Sequence, residues 1–306
     1  MNPIRSMREL VERAVATGRR RVAVPGAESQ SALDAVLEGR TRGLAEPILL
    51  GDRAALEAEL AARGEDPRAF QIEHEPETAR AARRAVELVR AGAAEILLKG
   101  RLSTSELMRA VLDRETGLRG PGLISDVMVS DSPGGGPPRL IGITDGGVNV
   151  SPTLADKKAI LQNAVRVFHR LGLPRPRVAV LCAIETVSPA MPHTAEAAEL
   201  AAAAARGEFG ECEVFGPVAL DGALSVEAAR AKGIAHPAAG RADLLLVPAI
   251  EVGNALGKAF TWLAAKPVGH VLEGARAPVL IPSRAEGAMD KLCSVALGVL
   301  ASGAIS

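Results

Sequence analysis

The sequence predicts an α/β protein, and two observations lead to this class. Short apolar runs with the composition of buried strands alternate with longer stretches that favour helices, which is the pattern of repeated βαβ units. The chain also has 306 residues with 48% hydrophobic content, which is enough to bury the cores of two α/β domains. We therefore expect α/β domains built from such units.

Each predicted element in the first part of the chain has a local signal. Residues 21–25 and 47–50 are short apolar runs, and each is followed by a glycine that marks a turn. The Ala- and Arg-rich stretch that comes later favours a helix. The sequence thus predicts strands over 21–25, 47–50 and 95–98, and helices from about Gln30, after Asp52, over 76–91 and over 106–113.

A Gly- and Pro-rich region at 117–122 interrupts this alternation, and we place a domain boundary there. A hairpin is predicted next, with strands 123–130 and 139–144 around the loop 131–138. The glycines of that loop lack the Gly-Lys-Ser/Thr continuation of a phosphate-binding loop. Beyond it, the sequence predicts helices over 154–171, over 194–205 and from about Met289, and strands over 177–182, 244–247 and 277–281.

The charges of the chain balance, with 36 Lys and Arg against 36 Asp and Glu. No global field therefore attracts the protein to nucleic acid or to an anionic membrane, and with 2% aromatic residues there are too few rings for a base-stacking platform. The charged segment 1–21 and the lack of an apolar run of roughly 18 residues predict neither signal peptide nor anchor. We expect a cytoplasmic protein.

The cysteines and histidines show no metal-binding or disulfide pattern. Cys182, Cys212 and Cys293 are far apart and lie in or beside apolar stretches, which is typical of reduced core thiols. The five histidines are scattered without close pairing. We expect no metal and no tightly bound cofactor.

The segment 278–292 contains the strongest candidate active site. An apolar strand ends at Pro282, Ser283 and Arg284 follow at its carboxyl end, and Asp290 falls in the first turn of the next helix. A hydroxyl, a guanidinium and a carboxylate could meet one small anion there. The alternative is structural: a turn serine, a solvated arginine and a helix-start carboxylate.

Seven segments of the chain occur in an order that is informative, namely 98–109, 144–152, 182–194, 215–224, 239–248, 250–258 and 278–292. Together they resemble the phosphate acetyl/butyryl transferase family. Within this resemblance, residues 182–194 are more similar to the butyryl branch than to the acetyl branch.

The resemblance implies two α/β domains around a cleft, with an isocitrate/isopropylmalate dehydrogenase-like fold assembled as a homodimer. It also implies that the chain from about Val271 returns to the first domain. The expected domains are 1–120 together with 271–306, and 121–270. The implied activity is reversible acyl transfer between coenzyme A, bound as a substrate, and inorganic phosphate, with butyryl-type chains favoured.

Ser103 and Thr104 stand at the entrance of a predicted helix, where free backbone N–H groups attract anions. Plain helix capping together with Glu106 is the alternative. Arg109 lies one turn further on and would be a solvated charge by itself. The resemblance implies that Arg109 is a substrate-anchoring arginine.

Two further groups are predicted to contact the substrate. Gly253 and Asn254 follow the strand 244–247, where a glycine would let backbone N–H groups approach a ligand, although a structural loop turn is the alternative. Asp145 and Asn149 flank a Gly-Gly turn and are expected to line the cleft.

The implied chemistry is direct transfer with both substrates bound. Asp290 would remove the proton from the thiol of coenzyme A, since the thiolate is the competent nucleophile. Arg284 and Arg109 would neutralise the phosphate and the charge developing on the carbonyl, and Ser283 would donate a hydrogen bond to the departing phosphate. No candidate nucleophile has a base beside it in the sequence, which argues against a covalent intermediate.

Three alternatives stay open at this point. Acetyl-CoA could be the preferred substrate. A metal- and nicotinamide-dependent decarboxylating dehydrogenase would need clustered aspartates, and Asp126, Asp131 and Asp145 do not have that spacing. A non-catalytic effector-binding module would not require the complete Ser-Arg-Asp set.

Overall fold

The computed structural model describes residues 2–133, 137–283 and 285–303 and confirms the predicted α/β class. Its elements in chain order are α1 Met7–Thr17, β1 Arg20–Pro25, α2 Gln30–Thr41, β2 Ala45–Gly51, α3 Arg53–Ala62, β3 Gln71–His74, α4 Thr78–Arg90, β4 Ile96–Leu98, α5 Thr104–Val111, β5 Ser125–Asp131, β6 Leu140–Thr144, α6 Leu154–Arg170, β7 Arg177–Leu181, α7 Pro192–Ala205, β8 Glu213–Val218, α8 Leu220–Leu224, α9 Val226–Ala231, β9 Leu244–Leu246, α10 Ile250–Trp262, β10 Val268–Glu273, β11 Val279–Leu280 and α11 Ala288–Ser302.

The chain divides into two compact units by its contacts. We call 8–122 with 268–303 the terminal unit, and 123–267 with 2–7 the central unit. The first residues group with the central unit because the Ile4 N–H donates to the Leu171 carbonyl at 2.9 Å and the Met7 N–H donates to Asp131 Oδ1 at 2.7 Å. No local sequence signal predicted that association.

The terminal unit contains a sheet in the order β3-β2-β1-β4-β11-β10. All neighbours are parallel except β10, which runs antiparallel to β11. The carboxyl ends of the five parallel strands therefore meet at one edge. The turns there are tightly packed: the Arg101 N–H donates to the Gly26 carbonyl at 2.6 Å, and a Cβ on Gly100 would lie 2.2 Å from the same oxygen. Only glycine fits at position 100.

The central unit contains strands in the order β5-β6-β9-β7-β8. β5 and β6 form the predicted antiparallel hairpin, whereas the pairs β6–β9, β9–β7 and β7–β8 are parallel. The segments that follow β6, β7 and β9 consequently leave the sheet at one edge. Those segments begin at Asp145, Cys182 and Val247.

The elements that escaped the sequence prediction are strands β3, β8 and β10 and helices α1, α8, α9 and α10. The three strands are short or partly polar, so none of them has the continuous apolar run of a buried strand. Helix α10 contains Gly253 and Gly257, which lower helix propensity and suggested a turn. The interpretation of Gly253 and Asn254 as loop residues is therefore wrong, since both lie inside α10.

Candidate active site

The turn between β11 and α11 places Ser283 at the carboxyl edge of the terminal unit's sheet. The Lys99 N–H donates to the Leu280 carbonyl at 2.9 Å, so the turn after β4 leaves the sheet beside this one. The Ser283 N–H donates to Glu286 Oε2 at 3.0 Å. The Lys291 ammonium group stabilises the turn, because it donates hydrogen bonds to the Ser283 carbonyl at 3.1 Å and to the Glu286 carbonyl at 2.6 Å.

Asp290 lies in the first turn of α11, as predicted. Its Oδ1 accepts from the Val268 N–H at 3.0 Å, and its Oδ2 accepts from the Gly287 N–H at 3.2 Å. Gly287 has no side chain, so Asp290 closes the start of the helix. Burial raises the pKa of Asp290, and the charge of Glu286 raises it further. This carboxylate is thus a stronger base than an ordinary aspartate.

Glu286 and His270 complete this cluster, and the sequence analysis missed both. His270 Nε2 lies 3.5 Å from Glu286 Oε1. Burial alone would raise the pKa of Glu286, but the contact with His270 and the bond from the Ser283 N–H outweigh it and lower the pKa. Glu286 therefore stays ionised near Asp290. Its position three residues after Ser283 was the available signal.

Lys291 is 2% exposed, and burial lowers its pKa despite the neighbouring Glu286 and Asp290. Arg284, predicted as a catalytic residue, lies outside the described residues.

Helix α5 begins with the Ser103 cap. Ser103 Oγ accepts from the Glu106 N–H at 3.1 Å and donates to Glu106 Oε2 at 2.6 Å. The hydrogen bonds from Ser103, and one from Thr78, lower the pKa of Glu106 to about 2. Ser103 therefore caps helix α5 together with Glu106, as the structural alternative predicted. A contact between Ser103 and the substrate stays a prediction.

Thr104 follows as the first residue of α5 and is half-buried, whereas Arg109 is exposed in the last turn of the helix. Among the residues that the structure describes, none forms a hydrogen bond or an ion pair with the Arg109 guanidinium. That charge is available for a ligand.

In the central unit, the loop after β6 is organised around Asp145, which is 2% exposed. Oδ1 accepts from the N–H groups of Gly147 at 2.8 Å and Val148 at 2.9 Å. Oδ2 accepts from the Asn149 N–H at 3.2 Å and from Asn149 Nδ2 at 2.6 Å. Burial raises the pKa of Asp145, and the charge of Asp126 adds to the rise. The predicted pair Asp145 and Asn149 is therefore a direct contact.

Helix α10 packs its first turns against this loop. A Cβ on Gly253 would lie 2.7 Å from the Asp145 carbonyl oxygen, so the close approach requires glycine. Asn254 is exposed, and its Nδ2 donates to the Gly146 carbonyl at 3.3 Å. The structure thus brings together all four predicted contact residues of the central unit. Gly253 serves helix packing, because its N–H already donates to the Ala249 carbonyl at 3.4 Å.

A largely apolar cavity of about 900 Å³ opens at the same edge of the central unit's sheet. One side is helix α10, with Val252, Ala255 and Leu256, and the other is the start of the segment after β7, with Cys182, Met191 and Pro192. We call this the α10 cavity. Burial raises the pKa of Cys182 to about 11, so its thiol is protonated at neutral pH.

Comparison with known proteins identifies the family. The model of the phosphate acetyl/butaryl transferase family matches residues 69–299. Phosphate butyryltransferase of Clostridium acetobutylicum is 38% identical over 98% of this chain and 99% of its own length. This chain belongs to the phosphate acetyl/butyryl transferase family.

Two further relatives are consistent with this membership. A phosphate acetyltransferase of Rhizobium meliloti is 40% identical over 89% of this chain and 85% of its own length. The crystal structure of a branched-chain phosphotransacylase from Enterococcus faecalis aligns with a TM-score of 0.80 and 30% identity, covering 92% of this chain and 99% of that one. The family match spans every predicted site residue from Ser103 to Asp290.

Two features are absent from the part of the chain that the structure describes. Its His, Cys, Asp and Glu side chains form no group of three or more that could hold a metal ion. None of its described helices is long and apolar enough to cross a membrane.

Proposed function

We propose that this protein catalyses reversible transfer of a short acyl group between coenzyme A and inorganic phosphate, with butyryl-type chains favoured over acetyl. The observation that carries the chemistry is the turn at Ser283, where a carboxylate of raised pKa follows a strand end. Family membership supports phosphate acyl transfer in general, while the butyryl preference rests on the α10 cavity.

Asp290 is the proposed general base. Its two backbone hydrogen bonds fix the carboxylate without using all of its acceptor sites, so a thiol proton can still be received. The raised pKa makes that transfer more favourable than to an ordinary aspartate. The proton would leave the thiol of coenzyme A as its sulfur attacks the acyl phosphate carbonyl.

Ser283 and the arginines are proposed to handle the phosphate. Ser283 Oγ would donate to the departing phosphate oxygen, and Arg284 with Arg109 would neutralise its charge. Ser103 and Thr104 would add contacts at the start of α5. In the central unit, Asn254 and the loop of Asp145 and Asn149 are proposed to contact substrate, with Gly253 shaping that surface.

A direct mechanism with both substrates bound is supported by the thiols. Burial raises the pKa of Cys182 and of Cys212 to about 11, so neither is a nucleophile at neutral pH. Cys293 is buried within α11. No acyl-cysteine intermediate is therefore proposed.

The preference for butyryl chains is argued from the α10 cavity. Its wall includes residues from both ends of the segment 182–194, which is more similar to the butyryl branch than to the acetyl branch, together with Leu256 of α10. Each methylene that enters an apolar pocket contributes about 0.8 kcal/mol, so a four-carbon chain would gain affinity over a two-carbon one in graded steps.

We also propose that the protein is a cytoplasmic homodimer. The end of helix α10 exposes two large apolar side chains, Trp262 at 68% and Leu263 at 86%. Exposed apolar residues of this size are typical of surfaces that associate, and a second copy of this chain is the proposed partner.

The test is a thiol-release assay with phosphate and acyl-CoAs from acetyl to octanoyl. We expect an optimum at butyryl or another short chain. Ala255→Phe would fill the α10 cavity and move the optimum toward acetyl, whereas Ala58→Phe on the exposed face of α3 would leave it unchanged. An acetyl optimum in the unmodified protein would remove the butyryl preference, and no thiol release with any acyl-CoA would refute the activity.

A further inference from the structure

A second cavity, lined in part by arginines, lies at the amino ends of the central unit's strands, away from the predicted site residues of that unit. It has a volume of about 890 Å³. Arg139 directly precedes β6, and Arg177 is the first residue of β7. Asp145 follows the other end of β6, so this cavity, which we call the Arg139 pocket, opens at the opposite edge of the sheet.

The pocket holds more positive than negative charge. Its wall includes Arg139, Arg177 and Arg241, and Glu227 is the acidic residue among the described residues that line it. The Glu227 carboxylate already accepts a hydrogen bond from Ser225 Oγ at 3.0 Å. Two of these guanidiniums, those of Arg139 and Arg177, lie within ion-pair distance of the Asp243 carboxylate, which is 2% exposed.

The Asp243 carboxylate accepts three hydrogen bonds from Arg177. Arg177 Nε donates to Oδ2 at 2.8 Å, Nη2 donates to Oδ1 at 2.7 Å, and the Arg177 N–H donates to Oδ2 at 3.0 Å. Arg139 reaches the same carboxylate only at 3.9 Å, with its Nη1 donating to the Ala242 carbonyl. One buried carboxylate thus faces two guanidiniums and is hydrogen-bonded to only one of them.

Arg139 is a partly desolvated charge that shares the Asp243 carboxylate with Arg177 and forms no hydrogen bond with it. Its side chain is 25% exposed, and burial lowers its pKa, with the nearby charge of Arg177 lowering it further against the opposing effect of Asp243. Its Nε and Nη2 form no hydrogen bond with the residues that the structure describes. A planar guanidinium with free N–H groups fits two oxygens of one anionic group.

We propose that the Arg139 pocket binds a small polyanion, a metabolite with a phosphate, a diphosphate or several carboxylates. The cavity volume lies in the range of small-molecule sites. Such a ligand would add negative charge beside Arg139, which shares Asp243 with Arg177, and beside Arg241. The site is independent of the proposed acyl transfer, because none of its residues belongs to the predicted catalytic set.

The competing explanation is that Arg139 only ties β6 to the start of β9 through the Ala242 carbonyl. Both explanations predict some loss of stability in Arg139→Gln, so stability cannot separate them. Anion binding can separate them. Arg241 offers a second variant because its side chain is exposed and, among the described residues, donates a single hydrogen bond, to the Pro237 carbonyl at 3.2 Å.

Isothermal titration calorimetry with inorganic pyrophosphate and with citrate tests the proposal on the full-length protein. We expect binding of at least one probe, weakened about tenfold in Arg139→Gln and less in Arg241→Gln, with partial recovery in Arg139→Lys. Arg83→Gln, on an exposed position of α4, is the matched control and should bind normally.

Ser283→Ala separates this site from the candidate active site. Binding that persists in Ser283→Ala and weakens in the Arg139 and Arg241 variants supports the pocket. Binding that is lost in Ser283→Ala but unchanged in Arg139→Gln and Arg241→Gln overturns it, as does the absence of binding of either probe at 10 mM, about the upper limit for a metabolite site. If Arg139→Gln does not fold, the Arg241→Gln result decides.

Discussion

Asp145 and Asp290 are two aspartates of raised pKa in different units, and they differ in how their oxygens are used. Asp145 is 2% exposed and accepts four hydrogen bonds, all from its own loop. Asp290 is half-buried and accepts two, one from β10 and one from the start of α11. A carboxylate has about four acceptor sites, so Asp145 is saturated and Asp290 is not.

This difference in free acceptor sites supports different proposed roles for the two aspartates. Raised basicity is useful in catalysis only where a proton can reach the oxygen, and every acceptor site of Asp145 already faces a donor. Asp290 combines a raised pKa with vacant acceptor sites and partial exposure. We therefore propose that Asp290 transfers the proton and that Asp145 organises its loop, and three substitutions test this contrast.

The largest expected effect is in Asp290→Asn. The amide keeps the size of the side chain but cannot accept the thiol proton, so turnover with coenzyme A and acyl phosphate should fall about 10²–10⁴-fold, with much smaller changes in KM. In the unmodified protein, the rate should rise with pH as Asp290 ionises, at a pH above the ordinary pKa of 3.8. That acid limb should disappear in the variant.

Stopped or continuous thiol assays across pH measure both effects. Glu115→Gln, an exposed position in the same unit, is the control for loss of one carboxylate and should match the unmodified protein. Near-normal turnover in Asp290→Asn would reduce Asp290 to a helix-capping residue.

A smaller effect, on stability, is expected in Asp145→Asn. The amide offers one oxygen to four donors, so at least two N–H groups lose their acceptor, and the free energy of unfolding should fall by about 2 kcal/mol at neutral pH. Turnover should fall less than in Asp290→Asn. Urea denaturation measures the first quantity, and a larger loss of turnover than in Asp290→Asn would reverse the assigned roles.

The pH dependence of stability sharpens this prediction. The pKa of Asp145 is raised in the folded state, so the folded protein binds this proton more tightly than the unfolded chain does. The resulting stabilisation is present below the ordinary pKa of 3.8 and is lost as the pH rises through the folded-state pKa. Asp145→Asn should lack this component in that window.

The smallest effect is expected in Glu286→Gln. The charge of Glu286 helps to raise the pKa of Asp290, so its removal should move the acid limb of the rate profile to lower pH. Glutamine can still accept from the Ser283 N–H, so kcat should fall by less than about tenfold. An unchanged limb, with kcat lowered, would mean that Glu286 acts only by holding the turn.

The fold could be predicted where the sequence has strong local patterns. The apolar runs of β1, β2, β4, β7 and β9 and the hairpin of β5 and β6 lie where they were expected. Strands β3, β8 and β10 were missed because edge or partly polar strands lack a continuous apolar run. Helix α10 was missed because Gly253 and Gly257 lower the helix propensity of this segment. Both glycines permit close packing, Gly253 against Asp145 and Gly257 against Met128, and this packing outweighs the low propensity.

By itself, the sequence determined which chemical groups stand at strand ends, since Ser283 after β11 and Asp290 in α11 follow from periodicity and turn signals. The tertiary structure alone decided the hydrogen-bond partners and the pKa values of those groups. Hydrogen bonds such as Val268 to Asp290, and the approach of His270 to Glu286, join residues that are distant in the chain, and local patterns carry no information about them. Burial and neighbouring charge, which exist only after packing, are what raise the pKa of Asp290.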